Sequence, residues 1–146
     1  MTIEEGLVTY LRSVSAITAV VGQRIYPRLV PQGNQSGSNL PAITYQMVSG
    51  NPLQSLSGSS GFTTERIQLN CWALDDSTAR SLRELLRLNL DGYAGLMGTV
   101  TAHAVLVESK GALPFRASEE TDARRQYGHF IEIAIQCEEA KPAYAP

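Results

Sequence analysis

Arg125-Gln126-Tyr127-Gly128-His129-Phe130-Ile131-Glu132-Ile133-Ala134-Ile135-Gln136-Cys137-Glu138 is the clearest strand in the chain. Tyr127, His129, Ile131, Ile133, Ile135 and Cys137 fall on one side of it, and Glu132, Gln136 and Glu138 on the other. Successive strand side chains point to opposite faces, so this two-residue period predicts one face in a core and one toward water. Upstream, Phe62 to Ala73 repeats the alternation, with Ile67, Leu69, Cys71 and Ala73 opposed to Arg66, Gln68, Asn70 and Trp72. Ala42 to Val48 sets Ile43, Tyr45 and Met47 against Thr44 and Gln46. Val100 to Glu108 sets Thr101, His103, Val105 and Val107 against Ala102, Ala104 and Leu106. A short strand is expected within Arg24 to Val30. Pro27 has no N–H to give to a ladder, so that strand belongs at an edge or carries a bulge.

Helical signals lie around these strands. Thr2-Ile3-Glu4-Glu5 reads as a capping box, and Ile3, Leu7, Leu11 and Val14 follow at helical spacing, which predicts a helix over Thr2 to Ser13. A shorter helix over Ala16 to Val21 ends at Gly22, a residue free to take the left-handed cap. Asp75-Asp76-Ser77 opens a third, with Ala79, Leu82, Leu85, Leu86 and Leu90 on its apolar face and Arg80, Glu84, Arg83 and Arg87 outside. Gly33 to Asn39, Ser49 to Gly61 and Ser109 to Arg124 read as polar loops. The expected fold is α+β: a mainly antiparallel sheet of four to five strands with two main helices packed on one face. It spans residues 1–138 as one domain and leaves an Ala/Pro-rich flexible tail at 139–146. The Asp76 helix is expected to cover Ile67, Leu69, Cys71, Ile131, Ile133 and Ile135.

Composition narrows the functions. The 146 residues are 43% apolar and 18% charged, a globular balance with enough chain for a core. A net charge of -2 offers no global positive field for nucleic acid. Ten of the twelve basic residues are Arg, with only Lys110 and Lys141 as Lys; this suits contacts between subunits or reflects a composition bias of the source. No apolar run reaches the roughly 18 to 20 residues that cross a bilayer, and no signal peptide is read. Cys71 and Cys137 are too few for a disulfide scaffold and are expected to be free thiols in a reducing cytosol.

Chemistry is sparse. A metal site would draw on His103 or His129 with Cys71 or Cys137, but no two of these have ligand spacing. There is no Gly-x-Ser-x-Gly elbow, and both cysteines alternate with apolar neighbours. Gly-rich Ser57 to Gly61 lacks the Gly-Lys-Ser/Thr ending of a phosphate loop and precedes a strand. The adjacent carboxylates Glu4/Glu5, Asp75/Asp76, Glu119/Glu120 and Glu138/Glu139 read as helix starts or solvated charge. Arg124-Arg125 with Tyr127 is offset by Glu119, Glu120 and Asp122, so phosphate binding is not expected. No catalytic, cofactor or metal residue is assigned.

Leu53, Leu56 and Leu113-Pro114-Phe115 stand apart as apolar residues in segments that otherwise read as exposed. They either dock on a partner or fold back as plugs on their own domain. With Phe62, Arg116, Arg124 and Arg125 they form the candidate interface.

Several segments resemble, in order, the phage tail completion family, also described as tail terminator or tail-to-head joining proteins. They are Glu5-Gly6-Leu7-Val8-Thr9-Tyr10-Leu11, Ala16-Ile17-Thr18-Ala19-Val20-Val21-Gly22, Arg24-Ile25-Tyr26-Pro27, Leu40-Pro41-Ala42-Ile43-Thr44-Tyr45, Arg66-Ile67-Gln68-Leu69-Asn70-Cys71-Trp72-Ala73 and His129-Phe130-Ile131-Glu132-Ile133. The likeness spans roughly residues 5 to 137. It implies a non-enzymatic virion protein forming a ring, usually hexameric, at the head-proximal end of the tail tube after assembly in the host cytoplasm. Its implied partners are copies of itself, the tail tube protein and the head connector, with DNA only passing through the lumen and no membrane. Two alternatives stay open: a head completion or neck protein of the same particle, or a small metal-dependent enzyme using one of the histidines.

Overall fold

The stretch around Arg125 to Glu138 forms the middle of a curled sheet. The computed structural model describes residues 2–28, 40–113, 116–118 and 121–141, with the backbone alone for 116–118 and 121–125. Its strands are β1 (Ile25–Pro27), β2 (Ala42–Ser55), β3 (Gly58–Ala73), β4 (Gly95–Met97), β5 (Val100–Ala112), β6 (Arg116–Ser118) and β7 (Thr121–Glu138). Six follow the order β1-β2-β3-β7-β5-β4, and β6 pairs with the outer half of β7. Every pairing is antiparallel except β1 with β2. The sheet thus exceeds the four to five strands expected. β1 and β4 are three residues each, too short to display a period. As expected, Pro27 lies on an edge strand.

Three helices cover one face: α1 (Ile3–Ser13), α2 (Ser15–Val21) and α3 (Asp76–Leu90). Thr2 caps α1 by accepting the Glu5 amide at 3.2 Å, and Gly22 ends α2 at φ 59°. The Asp75 carboxylate at the head of α3 accepts the Ser77 and Thr78 hydroxyls at 3.0 Å. α3 packs on β7 and β3, over the apolar face read from Ile67, Leu69, Cys71, Ile131, Ile133 and Ile135. α1 packs on β4, where Gly6 is obligatory: a Cβ there would stand 2.5 Å from the Met97 carbonyl oxygen. All three helices and six strands feed one contiguous core.

The segments read as loops at Ser49 to Gly61 and Ser109 to Arg124 are largely strand. β2 and β3 continue to a tight turn at Leu56-Ser57, and β5, β6 and β7 extend through most of the second segment. Residues 50–58 are exposed, so no buried face imposes an apolar alternation on them. Ladder bonds, helped by Ser60 Oγ donating to the Leu53 carbonyl at 2.7 Å, hold the strand instead. Gly33 to Asn39 lies outside the described residues. In β5, a register shift between Ala102 and Ala104 breaks the expected alternation: Ala102 and Val105 face the core, while His103 turns outward. Of the expected loose tail, Glu139 is held by its amide donating to the Gly61 carbonyl at 2.8 Å, and residues 142–146 lie outside the description.

Candidate interaction surface

The histidines are the natural place to look for chemistry. His129 is buried on β7, between α3 and the sheet. Arg83 Nη1 lies 3.1 Å from its Nδ1, and Asp76 Oδ1 lies 2.8 Å from its Nε2. A guanidinium only donates, so Nδ1 accepts and the ring proton sits on Nε2, donating to Asp76. That hydrogen bond is the first cause holding the Asp76 carboxyl below its ordinary value. Cys71 faces His129 across the ladder, but both imidazole nitrogens are already engaged, and burial pushes the thiol far up. No nitrogen is left to activate that sulfur. His103 is exposed, 3.0 Å from Glu138 Oε1, with its ring 5.4 Å from that of Phe62. Burial likewise raises the Cys137 thiol, to about 11. Among the described residues, no three His, Cys, Asp or Glu side chains are grouped to hold a metal. Sequence gave no sign of the Asp76–His129–Arg83 chain, because its members lie 46 and 53 residues apart.

The more distinctive geometry is at the sheet's ends. β2 and β3 run past the helix-covered region as a hairpin arm, on which Leu53 is 61% exposed, Phe62 44% and Leu56, at the tip, fully exposed. Met47 and Val48, not singled out from sequence, add apolar surface at the arm's root. Gly58 closes the turn at φ 116°, a conformation side chains rarely adopt. Glu65 lies across Gly50, where a side chain would collide with its carboxylate, and accepts the Thr63 hydroxyl at 3.0 Å.

The other candidate residues belong to a second arm built from β5, β6 and β7. Leu113 is half-buried at the end of β5; its amide donates to the Gly128 carbonyl at 2.8 Å, and its side chain packs over Gly128 beside Trp72. Arg116 stands opposite Gln126 in the β6–β7 ladder, and Arg124 and Arg125 lie in β7. Their side chains, with Pro114 and Phe115, are outside the described residues.

Two strand edges are also open. β1 covers β2 only at Ile43 to Tyr45, so Gln46 to Ser55 has β3 on one side and no described strand on the other. β4 covers β5 only up to Ala102, and Asp91 to Tyr93 bond Val105 and Val107. From Glu108 to Ala112, β5 has β7 alone among the described strands. Beyond the first edge, a small open groove of about 130 Å3 is lined by Leu40, Pro41, Ala73, Leu74, Asp75 and Thr78.

A helix-backed sheet with an apolar hairpin arm, and with edges left open among the described strands, offers surface of the kind that suits other protein chains. The chain belongs to the family of tail completion protein gp17, whose model matches residues 5–122, and it is a structural phage tail protein. This is the family suggested by the segments beginning at Glu5, although the match stops short of the Ile131–Ile135 strand. A chain in the solved "Virion of native gene transfer agent (GTA) particle" shares the fold at TM-score 0.64 and 17% identity, covering 91% of this chain and 93% of that one. No curated protein matches the chain. No described helix is long and apolar enough to cross a membrane.

Proposed function

We propose that this protein is the subunit of a closed ring, hexameric by resemblance to its family, that caps the tail tube and joins it to the head connector. One observation carries the reading: the β2–β3 arm exposes Leu53, Leu56 and Phe62 well outside the core that stabilises the fold. Leu56 and Leu53 gain little from the chain's own packing, Phe62 stays 44% exposed beside the His103 ring, and all three are covered when a neighbour docks. Arms and edges that point away from one another favour head-to-tail contacts, which close into a ring when the rotation per subunit allows. Leu113, Pro114, Phe115, Arg116, Arg124 and Arg125 would supply the second arm's share of contacts with the tube or connector. The ring would sit at the head-proximal end of the tail after assembly in the host cytoplasm, with DNA crossing its lumen unbound. No cofactor takes part in this reading.

Light scattering and negative-stain microscopy of the purified protein, alone and with tail tube protein, test it. A closed oligomer in at least one condition is the expected result. A strict monomer in both would discard the ring, and labelled subunits found on the head side of the connector would reassign the protein to the neck.

A further inference from the structure

The arm's tip has a matching feature at the opposite end of its own hairpin. No Asp, Glu, Lys, Arg or His lies between Arg28 and Glu65, so the exposed edge of β2 and the whole projecting arm are uncharged. Edge strands that must stay unpaired normally carry charge, especially Lys, as protection. Depletion of charge is also what distinguishes the centre of a protein interface from ordinary surface. At the far end of the hairpin, where β2 begins and β3 ends, lies the groove lined by Leu40, Pro41, Ala73, Leu74, Asp75 and Thr78. Its one charge, the Asp75 carboxylate, already accepts the Ser77 and Thr78 hydroxyls, which satisfy part of its hydrogen-bonding capacity within the chain. At about 130 Å3 it approaches the roughly 150 Å3 cavity that accepts a benzene-sized group.

Building on the ring reading, we infer that the groove receives Leu56 of the adjacent copy, so that the hairpin tip of each subunit seats at the hairpin base of the next. Knob and groove are separated by the length of the strands, roughly 50 Å at about 3.3 Å per residue. Leu56 therefore cannot reach the groove of its own subunit, so the contact joins two copies; repeated head-to-tail it closes a ring, whereas a reciprocal exchange of tips would stop at a dimer. The area also suits it. An arm about ten residues long offers roughly 300 Å2 on each of its two faces, a large share of the roughly 800 Å2 per partner that a stable interface buries.

The test is a disulfide pair, Leu56→Cys with Leu74→Cys, in protein alone and on tail tubes, followed by oxidation and non-reducing electrophoresis. Native Cys71 and Cys137 are buried and do not compete. The double variant should give a ladder of covalent oligomers that both single variants lack. Rings in the micrographs without a ladder would overturn the knob-and-groove contact while leaving the ring intact. Absence of any oligomer from the unaltered chain, alone and on tubes, would overturn the ring reading itself. Leu56→Asp should weaken assembly at least tenfold with an unchanged Tm, whereas Leu88→Ser, a change at another exposed leucine on the outer side of α3, should not. Assembly of Leu56→Asp at the unaltered concentration would also refute the contact.

Discussion

At the scale of single residues, the sheet's outer face is held by aromatic rings over glycines. Trp72 pairs across the ladder with Gly128, and Phe130 with Gly111. A Cβ at Gly128 would stand 2.7 Å from the Trp72 ring, and Trp72 Nε1 donates to the buried Thr44 hydroxyl at 3.1 Å. Gly128→Ala is therefore expected to cost about 1–3 kcal/mol by overpacking, and Trp72→Ala about 3–5 kcal/mol, both read from urea unfolding. The thiols set the alkaline limit. Cys137 keeps its proton in the fold up to about 11, whereas an unfolded thiol releases it near 9. Its contribution is complete below the lower value and is lost as pH rises through the higher one. Burial raises Tyr10 and Tyr45 in the same direction. Tm should fall steadily above about pH 9, and Cys137→Ala should flatten the slope; an unchanged alkaline profile in that variant would refute this cause. Asp75, Asp76 and Glu84 are held below their ordinary values by hydrogen bonds, so their contribution exists above those values and disappears as pH falls through the lowered ones.

At the scale of elements, the arm and the core are separable. Replacing residues 52–60 by a two-residue turn removes exposed strand and no core side chain. The circular dichroism spectrum and Tm should change little, while assembly is lost; unfolding of this variant would show that the arm supports the domain. Gly6→Ala, by contrast, drives a Cβ into the Met97 carbonyl and should lower stability by about 1–3 kcal/mol. The same division explains what was legible in the sequence. β7, the inner half of β3 and all three helices announce themselves because each has one buried face, and burial writes a period into the residues. The β2–β3 arm has no buried face over residues 50–58, so its serines and glycines read as loop although the backbone is paired. The bulge at His103 leaves no mark in composition, so counting by twos placed that ring on the wrong side. Leu53 and Leu56 were visible as apolar residues out of place. The groove was not, because it joins Leu40 and Pro41 to residues more than thirty positions later, and only the fold brings them together.

At the scale of the whole molecule, one contiguous core predicts a single cooperative unfolding transition, with coincident fluorescence and circular dichroism curves. Native-state hydrogen exchange should separate two populations: amides of β7, inner β3 and α3 exchanging only through global opening, and those of residues 50–58 exchanging orders of magnitude faster until subunits assemble. Protection of the arm in the free protein would contradict its independence from the core. The charge-free run between Arg28 and Glu65 has a further consequence. That arm brings no charge of its own to a contact, so raising the ionic strength from 0.05 to roughly 0.5 M should change its share of the association free energy little. Excluded salts such as sulfate should strengthen it. A particle joint built this way would hold equally well in dilute water and in brine.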